Sequence, residues 1–282
     1  MNRTRAVIHR LECNVAQDDT AVLFVDMLGF ADMTEAHDFS LDFGNVVEQL
    51  QSHTSEMSQQ FRTFHECLAS DSWNRNVTTA VVFSDSGFFA FDSPIKALRG
   101  ALLLMRSLVG ARVACRMGLG SGSFRALSFG TTTSRGSTRI QHSSQFLGTA
   151  VVRAYRAESS GLSGLRILIH DSAAEAITND LPEMVIPVIG RAANDAVHWE
   201  GNYLYERPRR TDDPESEKPV PMFGIHFDAS DFEPTAVPHP LVASVTKMMS
   251  QAPAHAVRHY EETLRSFELM KLSLHMPPGR PT

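Results

Sequence analysis

Two rhythms of hydrophobic positions alternate along this chain. Ala21-Val22-Leu23-Phe24-Val25 is an unbroken apolar run that ends in Asp26 and passes at once into Met27-Leu28-Gly29-Phe30. Such a run is the pattern of a buried strand, here one that hands a carboxylate to a glycine turn. Ala80-Val81-Val82-Phe83-Ser84-Asp85-Ser86 repeats the theme and also delivers an aspartate. Between the two, Phe43, Val46, Val47, Leu50, Met57, Phe61, Phe64 and Leu68 fall at helical spacing, which predicts a long helix over 44–68. Residues 77–91 are β-branched or aromatic on both sides of Asp85-Ser86-Gly87, which predicts a hairpin of two strands. Ser93-Pro94 opens a helix to about residue 109, with proline in the first turn. The remaining pattern predicts a strand over 112–119, a helix over 148–158, a strand over 165–170, a helix over 171–177 capped by Asp171, and a last strand over 197–206. Residues 3–12 read as helical. The order is βαββαβ with a further αβ-type tail, an α+β sheet covered by helices.

The character changes after Glu206. Residues 207–239 begin Arg-Pro-Arg-Arg-Thr-Asp-Asp-Pro, the composition of an exposed linker. Beyond it, helices are expected around 240–250 and 254–272, carrying Leu241, Val245, Met248, Met249, Val257, Tyr260, Leu264, Phe267 and Met270. This methionine-rich stripe is expected to pack on the main domain or a partner subunit, or else to form a sensor or partner-binding arm. The expected organisation is therefore an N-terminal helical segment over 1–19, a main domain over 20–206, a linker over 207–239 and a C-terminal helical extension over 240–282.

Composition narrows the function classes. A net charge of −6 and a pI near 6.0 argue against a nonspecific nucleic-acid or polyanionic-membrane binder. Three scattered cysteines, Cys13, Cys67 and Cys115, have no paired spacing and read as core thiols of a reducing compartment. No apolar run approaches the roughly 18 residues of a membrane span. A cytoplasmic protein without a membrane span or nucleic-acid partner is expected.

The chemistry lies in the two strand-end aspartates. Taken singly, Asp26 or Asp85 also reads as a strand-end cap or turn residue. Together they are hard oxygen ligands able to hold divalent cations against a polyphosphate, with backbone N–H groups at the following helix start. Gly118-Leu119-Gly120-Ser121-Gly122 has no helix opening directly from it and reads as a backbone turn rather than a dinucleotide loop. The twelve histidines form no metal-type pairing.

The set Phe24-Val25-Asp26-Met27-Leu28-Gly29-Phe30, Phe83-Ser84-Asp85-Ser86, Arg116-Met117-Gly118-Leu119-Gly120-Ser121-Gly122 and Phe146-Leu147-Gly148-Thr149-Ala150-Val151-Val152-Arg153-Ala154-Tyr155-Arg156-Ala157-Glu158 resembles the class III nucleotidyl cyclases over about residues 20–206. The resemblance implies a ferredoxin-like βαββαβ palm-type cyclase domain with extra strands. It implies that Asp26 and Asp85, with the Met27 carbonyl, bind two divalent cations, Mn²⁺ or Mg²⁺, and that Leu28, Gly29 and Phe30 meet the phosphates of a nucleoside triphosphate. Arg156 matches the arginine that stabilises charge in the transition state, its alternative being an exposed arginine paired with Glu158. A homodimer with shared active sites is also implied, with Gln145 and Arg156 facing the aspartates of the other subunit.

Three positions depart from the family pattern. Val152 stands where an asparagine usually orients ribose, leaving Arg153 or Tyr155 to substitute, ribose to be held differently, or a weak enzyme. Val81 stands at the purine-reading lysine and Gln145 at the second base-reading position. This combination is similar to the bacterial pyrimidine cyclases of Pycsar antiphage defence, which make cyclic UMP or cyclic CMP sensed by a separate effector protein. A catalytically silent cyclase-like domain that binds nucleotide or a partner, and an adenylate or guanylate cyclase, are the alternatives.

Overall fold

The computed structural model describes residues 6–36, 56–133, 139–205 and 239–274. The apolar run of β1 (Ala6–Met27) lies inside a sheet with both faces covered, which is why it shows no alternation. Ala21, Leu23, Val25 and Met27 enter one core and Val22 and Phe24 a second. After β1 come α1 (Phe30–Ala36), α2 (Glu56–Leu68) and the single turn α3 (Asp71–Asn74). The part of the expected long helix over 44–55 lies outside the described residues. β2 (Val77–Val82) and β3 (Ser86–Phe91) form the expected hairpin, closed by the Phe83 N–H donating to the Ser86 carbonyl at 2.7 Å. In α4 (Pro94–Gly110), Ser93 accepts from the Lys96 N–H at 3.2 Å and proline occupies the first turn, as expected.

Further on lie β4 (Cys115–Thr133), β5 (Arg139–Leu147), α5 (Thr149–Glu158), β6 (Ile167–His170), α6 (Asp171–Asp180), β7 (Val185–Pro187) and β8 (Val197–Gly201). The eight-stranded sheet runs β2-β3-β1-β4-β6-β8-β7, with β5 paired to β4 off this path. Its first four strands are antiparallel in the ferredoxin-like βαββαβ arrangement, and β6 adds in parallel to β4. α4 covers one face and α5 the other.

Several expectations are corrected. Residues 6–12 are strand rather than helix, because β1 pairs with β4 from Ala6↔Thr133 to Met27↔Cys115. A short isolated helical pattern cannot compete with a ladder of that length. The strand expected over 112–119 correspondingly runs from Cys115 to Thr133, and β5 and β7 are additional. Asp171 is not the cap of α6: the His170 ring accepts from the Ser172 N–H at 3.1 Å, while Asp171 meets His198 at 2.9 Å. The strand expected over 197–206 ends at Gly201. Cys115 is buried and Cys67 half-buried, but Cys13 is exposed rather than a core thiol.

The glycine-rich stretch is also no turn. Gly118 and Gly120 lie within β4, where α5 approaches so closely that a Cβ on Gly118 would sit 2.0 Å from the Ala154 carbonyl oxygen. A Cβ on Gly120 would sit 2.6 Å from the Ala154 nitrogen. Ala150, Ala154 and Ala157 are small and buried on the opposing helix face, so glycine and alanine together bring helix against sheet.

The C-terminal helices α7 (Pro240–Gln251) and α8 (Val257–Leu274) pack on the main domain. Leu241, Val245, Met248, Phe267 and Met270 join its principal core. Thr263 on α8 accepts from the Leu165 N–H at 2.8 Å, and Asn202 donates to the Met270 carbonyl at 3.3 Å. Residues 207–238 lie outside the described residues. Among those described, no helix is long and apolar enough to cross a membrane.

Candidate active site

Strand pairing brings the two aspartates together. Asp26, next to last in β1, lies opposite Ser86 of β3 and Arg116 of β4. The Met27 N–H donates to the Asp85 carbonyl at 2.8 Å, which locks the hairpin turn beside the strand end. Ser84 Oγ donates to Asp85 Oδ1 at 3.0 Å, and His65 reaches the Ser84 carbonyl oxygen at 3.0 Å. Asp85 is half-buried in this turn.

Burial pushes the Asp26 carboxyl up to about 7, with Glu158 and Asp85 adding repulsion and Arg116 opposing it. Arg116 cannot neutralise Asp26 fully because its guanidinium is clamped elsewhere. It donates to Glu158 at 2.6 Å and to the Leu162 carbonyl at 3.2 Å. Glu158 is nearly fully buried at the end of α5, so its negative charge is held near Asp26 by packing. Reading the sequence missed this Arg116–Glu158 pair, having offered Arg156 as the Glu158 partner. The signal was helical phase: residues two apart on a helix point in nearly opposite directions, so only one of Arg156 and Glu158 can face the sheet.

The donor chemistry suits a divalent cation. Two carboxylates whose mutual repulsion the nearby arginine offsets only in part favour a positive ion between them. The Met27 side chain is buried in the core, so its backbone carbonyl is the only ligand it can offer. Among the described residues no group of three His, Cys, Asp or Glu side chains could hold a metal. A two-carboxylate set of this kind suits Mg²⁺ or Mn²⁺ completing its shell with water and phosphate oxygens.

The remaining expected residues divide. The Leu28 N–H donates to the Ala114 carbonyl at 2.9 Å and is therefore spent, which removes it from the expected phosphate donors. Gly29 turns the chain with φ +79°, and neither its N–H nor that of Phe30 has a described acceptor. Val81 is half-buried beside Phe88, on the sheet face that carries Asp26. Gln145 is exposed on β5 opposite Leu127. Arg153 donates to the Ser121 carbonyl at 2.7 Å, which ties α5 to β4 and holds the guanidinium away from the aspartates. Tyr155 lies against Phe24 with ring centroids 5.7 Å apart. Arg156 is exposed near His170, and is not among the charges that act on Asp26.

One chain therefore assembles the aspartates but leaves Arg156 elsewhere. Phe83, Leu147, Val152 and Tyr155 are large apolar side chains left about half exposed. Phe83 touches Phe88, Phe88 touches Phe146, and Phe24 touches both Phe88 and Tyr155, so Phe83 and Tyr155 are continuous with the second core.

No family model and no curated protein matches the sequence. Solved structures do. The guanylyl cyclase Cya2 is 16% identical over 67% of this chain and 93% of its own, with a TM-score of 0.43. The adenylyl cyclase CyaB from P. aeruginosa is 15% identical over 68% of this chain and 95% of its own, TM-score 0.39. An adenylate/guanylate cyclase/hydrolase from Silicibacter pomeroyi is 17% identical over 70% and 98%, TM-score 0.38. At this distance, what the chain does has to be argued from its own residues.

Proposed function

We propose that this chain is a metal-dependent nucleotidyl cyclase that converts UTP or CTP to the 3′,5′-cyclic monophosphate and pyrophosphate. The observation that carries the reading is the meeting of Asp26 and Asp85, with Asp26 electrostatically short of a cation. In the reaction the ribose 3′-oxygen bonds to the α-phosphorus, the α–β phosphoanhydride bond breaks, and the 3′-hydroxyl proton leaves to solvent. Bound divalent cations would favour the alkoxide and neutralise charge on the transferring and leaving oxygens.

Asp26 and Asp85 hold the cations at the strand end, and the N–H groups of Gly29 and Phe30 are the remaining loop donors for phosphate. Arg156 supplies a permanently charged fork suited to transition-state phosphate oxygens. Because Arg156 lies away from the aspartates of its own chain, the reading requires a second copy. The apolar surface of Phe83, Leu147, Val152 and Tyr155 suits such a homodimer, in which Gln145 and Arg156 of one subunit face Asp26 and Asp85 of the other. Val81 offers no hydrogen bond to a purine edge, and a polar base edge left unpaired in a closed site costs about 1–3 kcal/mol. The product would act as a messenger for a separate effector in antiphage defence, following the resemblance in sequence.

The exposed Val152 favours a second reading, a cyclase-like domain that binds nucleotide without turnover. Purified protein incubated with each of the four nucleoside triphosphates and Mn²⁺, with products separated chromatographically, decides between them. Cyclic UMP or cyclic CMP is expected to dominate. A purine preference would leave the cyclase reading standing and remove the pyrimidine one, and no cyclic product under any condition would remove both.

A further inference from the structure

The geometry points to a binding site for a small organic monoanion with an apolar body, in the cavity between the α7–α8 turn, α2 and the loop that follows Asp26. This site goes beyond the cyclase reading and does not depend on it. The cavity measures about 690 Å³, within the usual range of small-molecule sites. Leu28 and Gly29 line one side and Met33 of α1 stands beside them, while Met248, Ala252 and Tyr260 of the C-terminal helices line another. These side chains suit an apolar or aromatic body.

The charge in the cavity is arranged for an anion. Arg112, between α4 and β4, is exposed, and its guanidinium forms no ion pair among the described residues. Its backbone sits at φ +61°, a left-handed conformation that disfavours any residue with a Cβ, yet an arginine and not a glycine occupies it. The cavity's acidic residue, Asp32, is engaged by His255 at 2.9 Å, which pins the α7–α8 turn to α1. His259, also in the lining, accepts the Gly164 N–H at Nδ1, at 3.2 Å, so its neutral ring carries the proton on Nε2. Gln251 lies in the same lining. An occupant would press on Leu28 and Gly29, two and three residues past Asp26, and so couple the C-terminal helices to the aspartate pair.

The test uses the full chain and 8-anilinonaphthalene-1-sulfonate, an aromatic sulfonate of this chemistry. Fluorescence titration is expected to show a saturable site. Arg112→Gly removes the guanidinium while suiting the left-handed backbone, so its melting temperature should match or exceed wild type while the Kd for the probe rises about tenfold or more. Ala252→Trp should fill the cavity and abolish the saturable phase. Phe83→Ser, in the exposed apolar surface beside Phe88, should leave that phase unchanged and so rule out probe bound there. Saturation should also slow hydrogen exchange of the amides over 28–33. No saturable binding, or binding indifferent to both Arg112→Gly and Ala252→Trp, overturns the proposal.

Discussion

With its carboxyl pushed up to about 7, Asp26 holds a proton in the folded, metal-free protein that the unfolded chain releases near 3.8. The folded state binds more protons between those two values, so this group's contribution to stability is full below about pH 4 and is lost as pH rises through 7. Asp26→Asn should remove the slope. In EDTA the stability advantage of the variant over wild type should grow by about 1–2 kcal/mol between pH 5 and pH 8 after allowance for solvent screening, as read by thermal melts. Protons and cations compete for this carboxylate, so Mn²⁺ affinity should rise with pH through the same interval. Catalytically, Asp26→Ala and Asp85→Ala should each abolish product with the fold retained, and near-normal cyclisation by either would remove the two-aspartate assignment. Gly118→Ala tests packing instead. The Ala154 carbonyl would meet the new methyl at 2.0 Å, so α5 must shift, and a loss of about 2–4 kcal/mol is expected in chemical denaturation.

At the scale of elements, Arg166, the residue before β6, forms an ion pair with Glu200 of β8, both almost fully buried. Burial raises the Glu200 carboxyl above the usual carboxylate range, and Arg166 opposes that shift while also donating to the Ile189 carbonyl at 3.1 Å. Removing one partner leaves an uncompensated buried charge. Arg166→Met should therefore cost about 3–5 kcal/mol, while Arg166→Met combined with Glu200→Leu should recover most of the loss. Equilibrium denaturation of the single and double variants measures the difference. A fully additive double variant would mean that the pair is not coupled. The same sheet shows which elements the pattern of residues could announce. β1 beyond Thr20, the 77–91 hairpin and α4 carry dense apolar signals and were legible. The outer halves of β1 and β4, and β5, are strands by virtue of pairing with one another, so no single segment betrayed them.

For the whole molecule, the separation of Arg156 from the aspartates makes subunit exchange the informative experiment. Asp85→Ala and Arg156→Ala should each be inactive alone. In mixed dimers one site carries both lesions and the other neither, so up to about one quarter of wild-type activity should return under random pairing. Continued inactivity despite demonstrated exchange would place the whole site within one chain. Replacing Phe83 or Tyr155 with Ser should weaken dimers in sedimentation and lower activity at low protein concentration together, because both lie on the surface proposed to pair.

The sequence by itself determined the strand that delivers Asp26, the hairpin that delivers Asp85, and the helix that carries Arg156, because each is written in a contiguous run whose period matches its element. It also carried the apolar stripe that seats α7 and α8. Tertiary structure decided what those residues face. Only strand pairing sets Asp85 beside Asp26, and only the phase of α5 sends Glu158 inward to Arg116 and Arg156 outward. Arg153, in sequence a possible substitute for the ribose-orienting asparagine, is held by the Ser121 carbonyl, and the Leu28 N–H is taken by Ala114. The glycines of β4 signalled a turn locally and a helix contact globally. A residue's type sets the chemistry it can perform, but its partners come from segments remote in the chain, and their approach depends on the packing of the whole sheet.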